Sequence, residues 1–166
     1  MGLFDFVKDA GAAIFGGKAE EAVRPAAPAE DPAARTAANQ EAANALAVQI
    51  RHLGFRVDEL QVQYDAGVAT VHGTVGSQRE KEIVVLTAGN TKGVAQVDDR
   101  LVVEAAEPEP EAAMYTVKSG DTLSAIAKAH YGDAMKYPEI FEANKPMLTD
   151  PDKIYPGQVL RIPPLA

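Results

Sequence analysis

The chain has no cysteine. That excludes disulfides, thiolate metal sites and a cysteine nucleophile, and it fits a reducing compartment. There is no basic excess: 16 Lys and Arg stand against 24 Asp and Glu, a formal charge of −8. Nucleic-acid binding rests on clustered Lys and Arg neutralising phosphates, so this balance argues against that partner. A diffuse attraction for cations is the more natural consequence. No apolar run approaches the roughly 20 residues needed to span a bilayer, so stable membrane insertion is not expected. Asp5, Lys8 and Asp9 interrupt the first apolar stretch and no basic leader precedes it, unlike a secretory signal. The expected location is the cytoplasm. Gly-x-Ser-x-Gly, a phosphate-binding glycine loop and His-Glu-x-x-His are all missing, so an enzyme is not expected. His52, His72 and His130 are scattered, and Asp150-Pro151-Asp152 lacks the other ligands of an EF-hand loop.

What is present begins with an apolar segment, residues 1–17. Leu3, Val7, Ala10 and Ile14 share one helical face, which predicts a short N-terminal helix docked on a neighbouring domain. A helix lying on a membrane surface is the alternative, but only Lys8 and Lys18 could meet anionic lipid. Gly11, Gly16 and Gly17 offer places for that helix to end. Residues 18–30 are Ala, Glu and Pro, a solvated and partly extended tether.

The first domain is read as residues 31–104. Asp31-Pro32 is a helix start, an Asp cap followed by Pro at the first helical position. Ala38, Ala42, Ala45, Leu46, Ile50 and Leu53 form one apolar stripe, closed by Gly54. Leu60, Val62 and Tyr64 alternate as a strand, Asp65-Ala66-Gly67 turns, and Ala69, Val71, Gly73 and Val75 alternate as the next. Ser77-Gln78-Arg79-Glu80 has capping-box spacing and opens a second helix. Val97, Leu101 and Val103 mark a third strand. The order αββαβ predicts an α+β unit, one sheet face covered by two helices.

Gly89-Asn90-Thr91-Lys92-Gly93-Val94 reads as the end of that second helix and a tight path into the strand. Gly89 stops the helix, helped by Asn90, and Gly93 adds a second flexible point. The last carbonyls of a helix have no partner within it, and the macrodipole makes that end partly negative. Such an end suits a cation without requiring a carboxylate. An ordinary C-cap, its carbonyls turned to water or to an amide, is the alternative.

Residues 105–113 form an acidic, proline-broken linker carrying Glu107, Glu109 and Glu111, read as joining two units able to move relative to each other. The second domain is residues 114–166. Tyr115-Thr116-Val117 reads as a strand and Lys118-Ser119-Gly120-Asp121 as a turn. Asp121 or Thr122 caps a helix carrying Leu123, Ile126 and Ala127, closed by Gly132. Asp133 can cap a second helix, and Ile154-Tyr155-Pro156-Gly157 turns into a last strand, Val159 to Pro163.

These residues resemble known families. The pattern from about Thr36 to Glu104 is similar to a BON domain, through Gly67, Val71-x-Gly73-x-Val75 and Gly93-Val94-x-x-Val97-x-Asp99. Tyr115-x-Val-x-x-Gly-Asp-Thr-Leu, Asn144-x-Pro and Ile154-x-Pro-Gly-x-x-Leu-x-Ile-Pro are similar to a LysM domain, whose fold is βααβ. LysM domains commonly bind N-acetylglucosamine polymers such as peptidoglycan. That resemblance implies a groove beside Gly120, Asp121, Thr122, Leu123, Ile154, Tyr155 and Pro156. The alternative is that these residues set turns and fill a small core.

The combination resembles the bacterial potassium binding protein family, apart from a tether that is longer and richer in Ala and Pro. It implies a monomeric, cytoplasmic K⁺ sensor or buffer that compacts on selective K⁺ binding. It also implies a site of backbone carbonyls: Val7 and Ala10 from the opening segment, Gly89, Thr91 and Val94 from the turn. Thr91 and Val94 differ in side chain from the family pattern, which a main-chain ligand tolerates. A ring of carbonyl dipoles can replace the K⁺ hydration shell and reject Na⁺. Ion binding would then tie the N-terminal segment onto the first domain against the entropy of closing that loop.

Overall fold

The computed structural model describes residues 2–6 and 31–165. Its elements are β1 (Gly2–Asp5), α1 (Pro32–His52), β2 (Asp58–Asp65), β3 (Val68–Val75), α2 (Gln78–Gly89) and β4 (Gln96–Val103), then β5 (Ala113–Thr116), α3 (Leu123–Tyr131), α4 (Tyr137–Ala143) and β6 (Val159–Ile162). The class is α+β, and the order within each unit, αββαβ and βααβ, is the one read from the sequence.

Local chemistry sets the elements. Asp31 accepts the Ala33 N–H at 3.0 Å and Pro32 opens α1. Ser77 accepts the Glu80 N–H at 3.1 Å, and the Glu80 carboxylate reaches back to the Gly76 N–H at 2.9 Å. The capping box is therefore reciprocal but displaced by one residue at its carboxylate end. Ala66 and Gly67 both take positive φ, 51° and 90°, as a two-residue hairpin turn requires. Thr122, rather than Asp121, caps α3 by accepting the Ala125 N–H at 3.1 Å.

The four-stranded sheet runs β1-β4-β3-β2. β3 and β4 are parallel, with α2 as their crossover, and the other pairs are antiparallel. β1 corrects the expected N-terminal helix at residues 2–5, since Gly2 pairs with Asp99 and Asp5 with Gln96. The reason lies in tertiary context. A lone turn of helix has a costly nucleus, whereas the edge of β4 offers ready main-chain partners. The extended form also packs Phe4 and Phe6 against the core and leaves Leu3 and Asp5 outside. Val7 and Ala10, with the rest of the expected helix and the tether, lie outside the described residues.

Past β1 the edge of β4 is closed by side chains. Asp99 accepts the Leu101 N–H at 3.0 Å, and Lys81 donates to the Leu101 carbonyl at 3.2 Å while lying 3.0 Å from Asp99. Such a plug removes a site for edge-to-edge pairing.

Two cores share α2. Val84, Val85 and Ala88 pack with Leu46, Ile50, Val71 and Val97 of the first unit. Ile83 and Leu86 pack with Leu123, Ile126, Ile140 and Leu160 of the second. Every residue from Glu82 to Gly89 is buried. The linker, read as joining mobile units, therefore connects two units that are docked here. Polar groups lock the contact: Arg161 bonds Glu82 at 2.7 Å, and both are buried, while Arg79 donates to the Glu142 carbonyl at 3.1 Å. Among the described residues no helix is long and apolar enough to cross a membrane.

Breaking the buried pair strands a charge. Glu82→Ala should lower stability by roughly 3–5 kcal/mol, and replacing Glu82 by Leu together with Arg161 by Met should recover most of it. Denaturant unfolding checks this; equal losses in the single and double variants would contradict it.

Candidate functional site

The last turn of α2 and the residues after it are held from four directions. Asn90 caps the helix, its N–H bonded to the Leu86 carbonyl at 2.8 Å. Its side chain reaches β6, accepting the Val159 N–H and donating to the Val159 carbonyl, both at 2.8 Å. The Thr91 hydroxyl lies 2.8 Å from both the Thr87 carbonyl and the Gln49 side-chain oxygen of α1. The Tyr64 hydroxyl of β2 donates to the Gly93 carbonyl at 2.9 Å. Burial is the main cause that pushes the Tyr64 pKa up, so it stays a donor at neutral pH.

The fourth direction is the N-terminus. Phe6 donates its N–H to the Ala95 carbonyl at 2.7 Å, and its ring lies on Gly89. A Cβ on Gly89 would fall inside that ring. This corrects the expected role of Gly89: it keeps helical backbone, and the left-handed residue is Gly93, at φ 93°. Glycine is needed at 89 for close approach rather than for a turn.

Main-chain oxygens are what this turn offers a ligand. Thr91 O accepts the Val94 N–H at 3.1 Å, but among the described residues no hydrogen bond reaches Gly89 O or Val94 O. Gly89, Thr91 and Val94 are themselves buried. Buried carbonyls are normally partnered, so these two oxygens are the ones on this turn open to a further partner. The helix also brings no basic residue of its own to its last turn. α1 carries Arg51 and His52 in its last turn and α3 carries Lys128 and His130, whereas α2 has no basic residue there. Its negative dipole end therefore lacks a nearby basic side chain within the helix. Among the described residues no group of three or more His, Asp or Glu is placed to hold a metal. A cation here would meet peptide dipoles, which suits a weakly hydrated monovalent ion better than Ca²⁺ or Mg²⁺, whose sites use carboxylates.

The structure thus brings Gly89, Thr91 and Val94 onto one turn and sets Phe6, the residue before Val7, against it. Val7 and Ala10 themselves lie outside the described residues. The sequence reading missed Phe6, Gln49 and Tyr64 and gave Asn90 only a role in ending the helix. The Asn90 partner is 69 residues away, so no local signal could reveal it.

The expected glycan residues have structural tasks. Leu123 is core, and Ile154 packs against it. Asp121 accepts the Lys118 N–H and the Tyr115 hydroxyl, both at 2.8 Å, and those bonds, the Lys118 one foremost, lower its pKa. Thr122 caps α3, and Gly120 takes φ 86° in the turn. The Tyr155 hydroxyl is buried, and burial pushes its pKa up. Of this set Gly120, Thr122 and Pro156 are exposed.

Known proteins share this organisation. The family model described as BON domain matches residues 36–105, and the LysM domain model matches residues 115–163. The chain is 47% identical over 163 residues to the potassium binding protein Kbp of Escherichia coli, covering 98% of this chain and 99% of that one. It is 35% identical over 102 residues to an uncharacterized protein of Deinococcus radiodurans, covering 56% of this chain and 40% of that one. A stretch of 69 residues is 45% identical to the esterase MT1326 of Mycobacterium tuberculosis, but it covers only 13% of that protein.

The Phe6 seat is testable. Gly89→Ala should cost about 1–3 kcal/mol by overpacking, and Phe6→Ala in the same chain should make that substitution nearly neutral. Denaturant unfolding of the two singles and the double measures the coupling; strictly additive losses would show that the ring does not rest on Gly89.

Proposed function

The chain belongs to the family of the potassium binding protein Kbp, and on that premise we propose that it binds K⁺ through main-chain oxygens of Gly89, Thr91 and Val94, completed by Val7 and Ala10. The observation that carries this reading is the end of α2. It is a buried helix C-terminus whose last turn has no basic residue, with two carbonyls that no described residue bonds and the Phe6 ring laid on it. Those residues fit a monovalent ion: each supplies a neutral dipole, and several together can replace lost water. The resting charge of the turn needs no carboxylate.

The physiological reading is a monomeric cytoplasmic K⁺ sensor or buffer without catalytic activity. Its units are residues 31–104 and 114–166, joined by 105–113. β1 and Phe6 hold the start of the chain to the sheet. Compaction would then reflect tightening of the contact between the two units. A ligand shifts such an equilibrium only by its preference for the closed form.

A second reading, glycan binding through the 114–166 unit, is favoured by the LysM match. Retention on purified peptidoglycan without any response to K⁺ would select it.

Calorimetry and scattering in K⁺ and in Na⁺ at matched ionic strength test the main reading. K⁺ should give a binding heat and compaction, and Na⁺ should give neither. Val94→Pro removes the N–H that holds Thr91 O and should weaken K⁺ binding about tenfold or more. Thr91→Ser keeps the hydroxyl and the main-chain oxygen and should change affinity less than about threefold. A Thr91→Ser loss as large as that of Val94→Pro would rule out main-chain ligation at this turn.

A further inference from the structure

On the edge of β6 that β5 leaves free, two asparagine side chains replace a neighbouring strand. Asn144, the C-cap of α4, accepts the Arg161 N–H at 2.8 Å and donates to the Arg161 carbonyl at 2.9 Å. Asn90 makes the same reciprocal pair with Val159, both bonds at 2.8 Å. Both asparagines are buried, at 0% and 1% exposure. A carboxamide carries one acceptor and one donor side, so each satisfies both main-chain groups of one residue. The two contacts differ in origin. Asn144 belongs to the same unit as β6, whereas Asn90 stands between Gly89 and Thr91 in the turn of the other unit.

That position has a geometric consequence. The Asn90 Cα joins two peptide planes, one of which carries Gly89 O. With its N–H fixed to Leu86 and its side chain fixed to β6, Asn90 cannot rotate freely, so neither can those planes. Carbonyls that cannot swing inward cannot close around an ion smaller than the one they fit.

We propose that Asn90 is the positioning residue for ion selectivity: its amide pair with Val159 holds the Gly89 carbonyl at K⁺ spacing and makes discrimination against Na⁺ depend on docking of the second unit. The proposal rests on the K⁺ reading above. Asn90 needs no contact with the ion from its side chain; it acts through the peptide planes on either side. Linkage then works both ways, and an ion that prefers the held geometry must also tighten the Asn90–Val159 contact.

Asn144→Ala is the matched control, since it deletes the same kind of contact on the same strand without touching the turn. Full-length chains are titrated calorimetrically with K⁺ and with Na⁺, ionic strength being held with choline. Asn90→Ala should weaken K⁺ binding about tenfold and narrow the K⁺-to-Na⁺ ratio, while Asn144→Ala lowers thermal stability but shifts K⁺ affinity less than about threefold. In the unaltered chain, K⁺ should slow amide exchange at Val159 more than at Arg161, a readout that survives if Asn90→Ala does not fold. A folded Asn90→Ala with unaltered affinity and ratio would overturn the proposal. So would equal effects of the two alanine variants, or no K⁺ effect on Val159 exchange. Failure of the underlying reading looks different, because the unaltered chain would then give no K⁺ heat at all.

Discussion

Burial of α2 from both sides is the constraint on which the molecule depends. A surface helix normally has one apolar stripe and one wet face. This one lends Val84, Val85 and Ala88 to one core and Ile83 and Leu86 to another. Ile83 and Leu86 are fully buried, and they pack into the core of the 114–166 unit. Each such side chain contributes about 1.5–3 kcal/mol when taken from water. Remove the second unit and the first exposes an apolar patch beside a charged Glu82; the two units therefore stabilise each other. Arg161 and Glu82 add orientation to that contact more than net stability, as is usual for ion pairs taken out of water.

The same constraint shapes the turn after α2. A helix held on two faces delivers its last residues to a fixed place, and the contacts made by Phe6, Gln49, Tyr64 and Asn90 come from four separate parts of the chain. A site assembled in advance costs less to bind than one that must be ordered by its ligand. Residues 2–5 fit this logic better as a strand than as a helix. Four paired residues and two packed aromatic rings anchor the segment.

Much of this was legible in the chain because it is locally encoded. Asp31-Pro32, Ser77-x-x-Glu80, Ala66-Gly67 and the alternating strands each carry their cause within a few residues. The 114–166 unit was readable for the same reason, its turns being fixed by glycines at 120, 132 and 157. What escaped is long-range. β1 is four residues whose partners lie over ninety positions away, and its apolar spacing also satisfies a helix. Gly89 was rightly singled out and wrongly explained, since a glycine demanded by an approaching ring looks like one demanded by a turn. The docking of the two units could not be inferred from a linker whose composition suggests freedom, because the decisive contacts are made by α2 and β6 rather than by the linker.

The acidic balance of the chain does not by itself imply a preference for cations at this turn. The buried acids nearest α2 are already spent: Asp99 faces Lys81 and Glu82 faces Arg161. Neutralised in this way, they contribute little field at the helix end, while the surface acids are screened by salt. What remains is a set of peptide dipoles at the end of a helix whose last turn has no Lys or Arg. That matters for the kind of ion. A carboxylate in the same place would raise the field and favour small divalent cations, whereas neutral oxygens held apart by the surrounding packing reward an ion that is large and gives up water readily. By pairing its buried acids elsewhere, the fold leaves the end of α2 polar without making it charged.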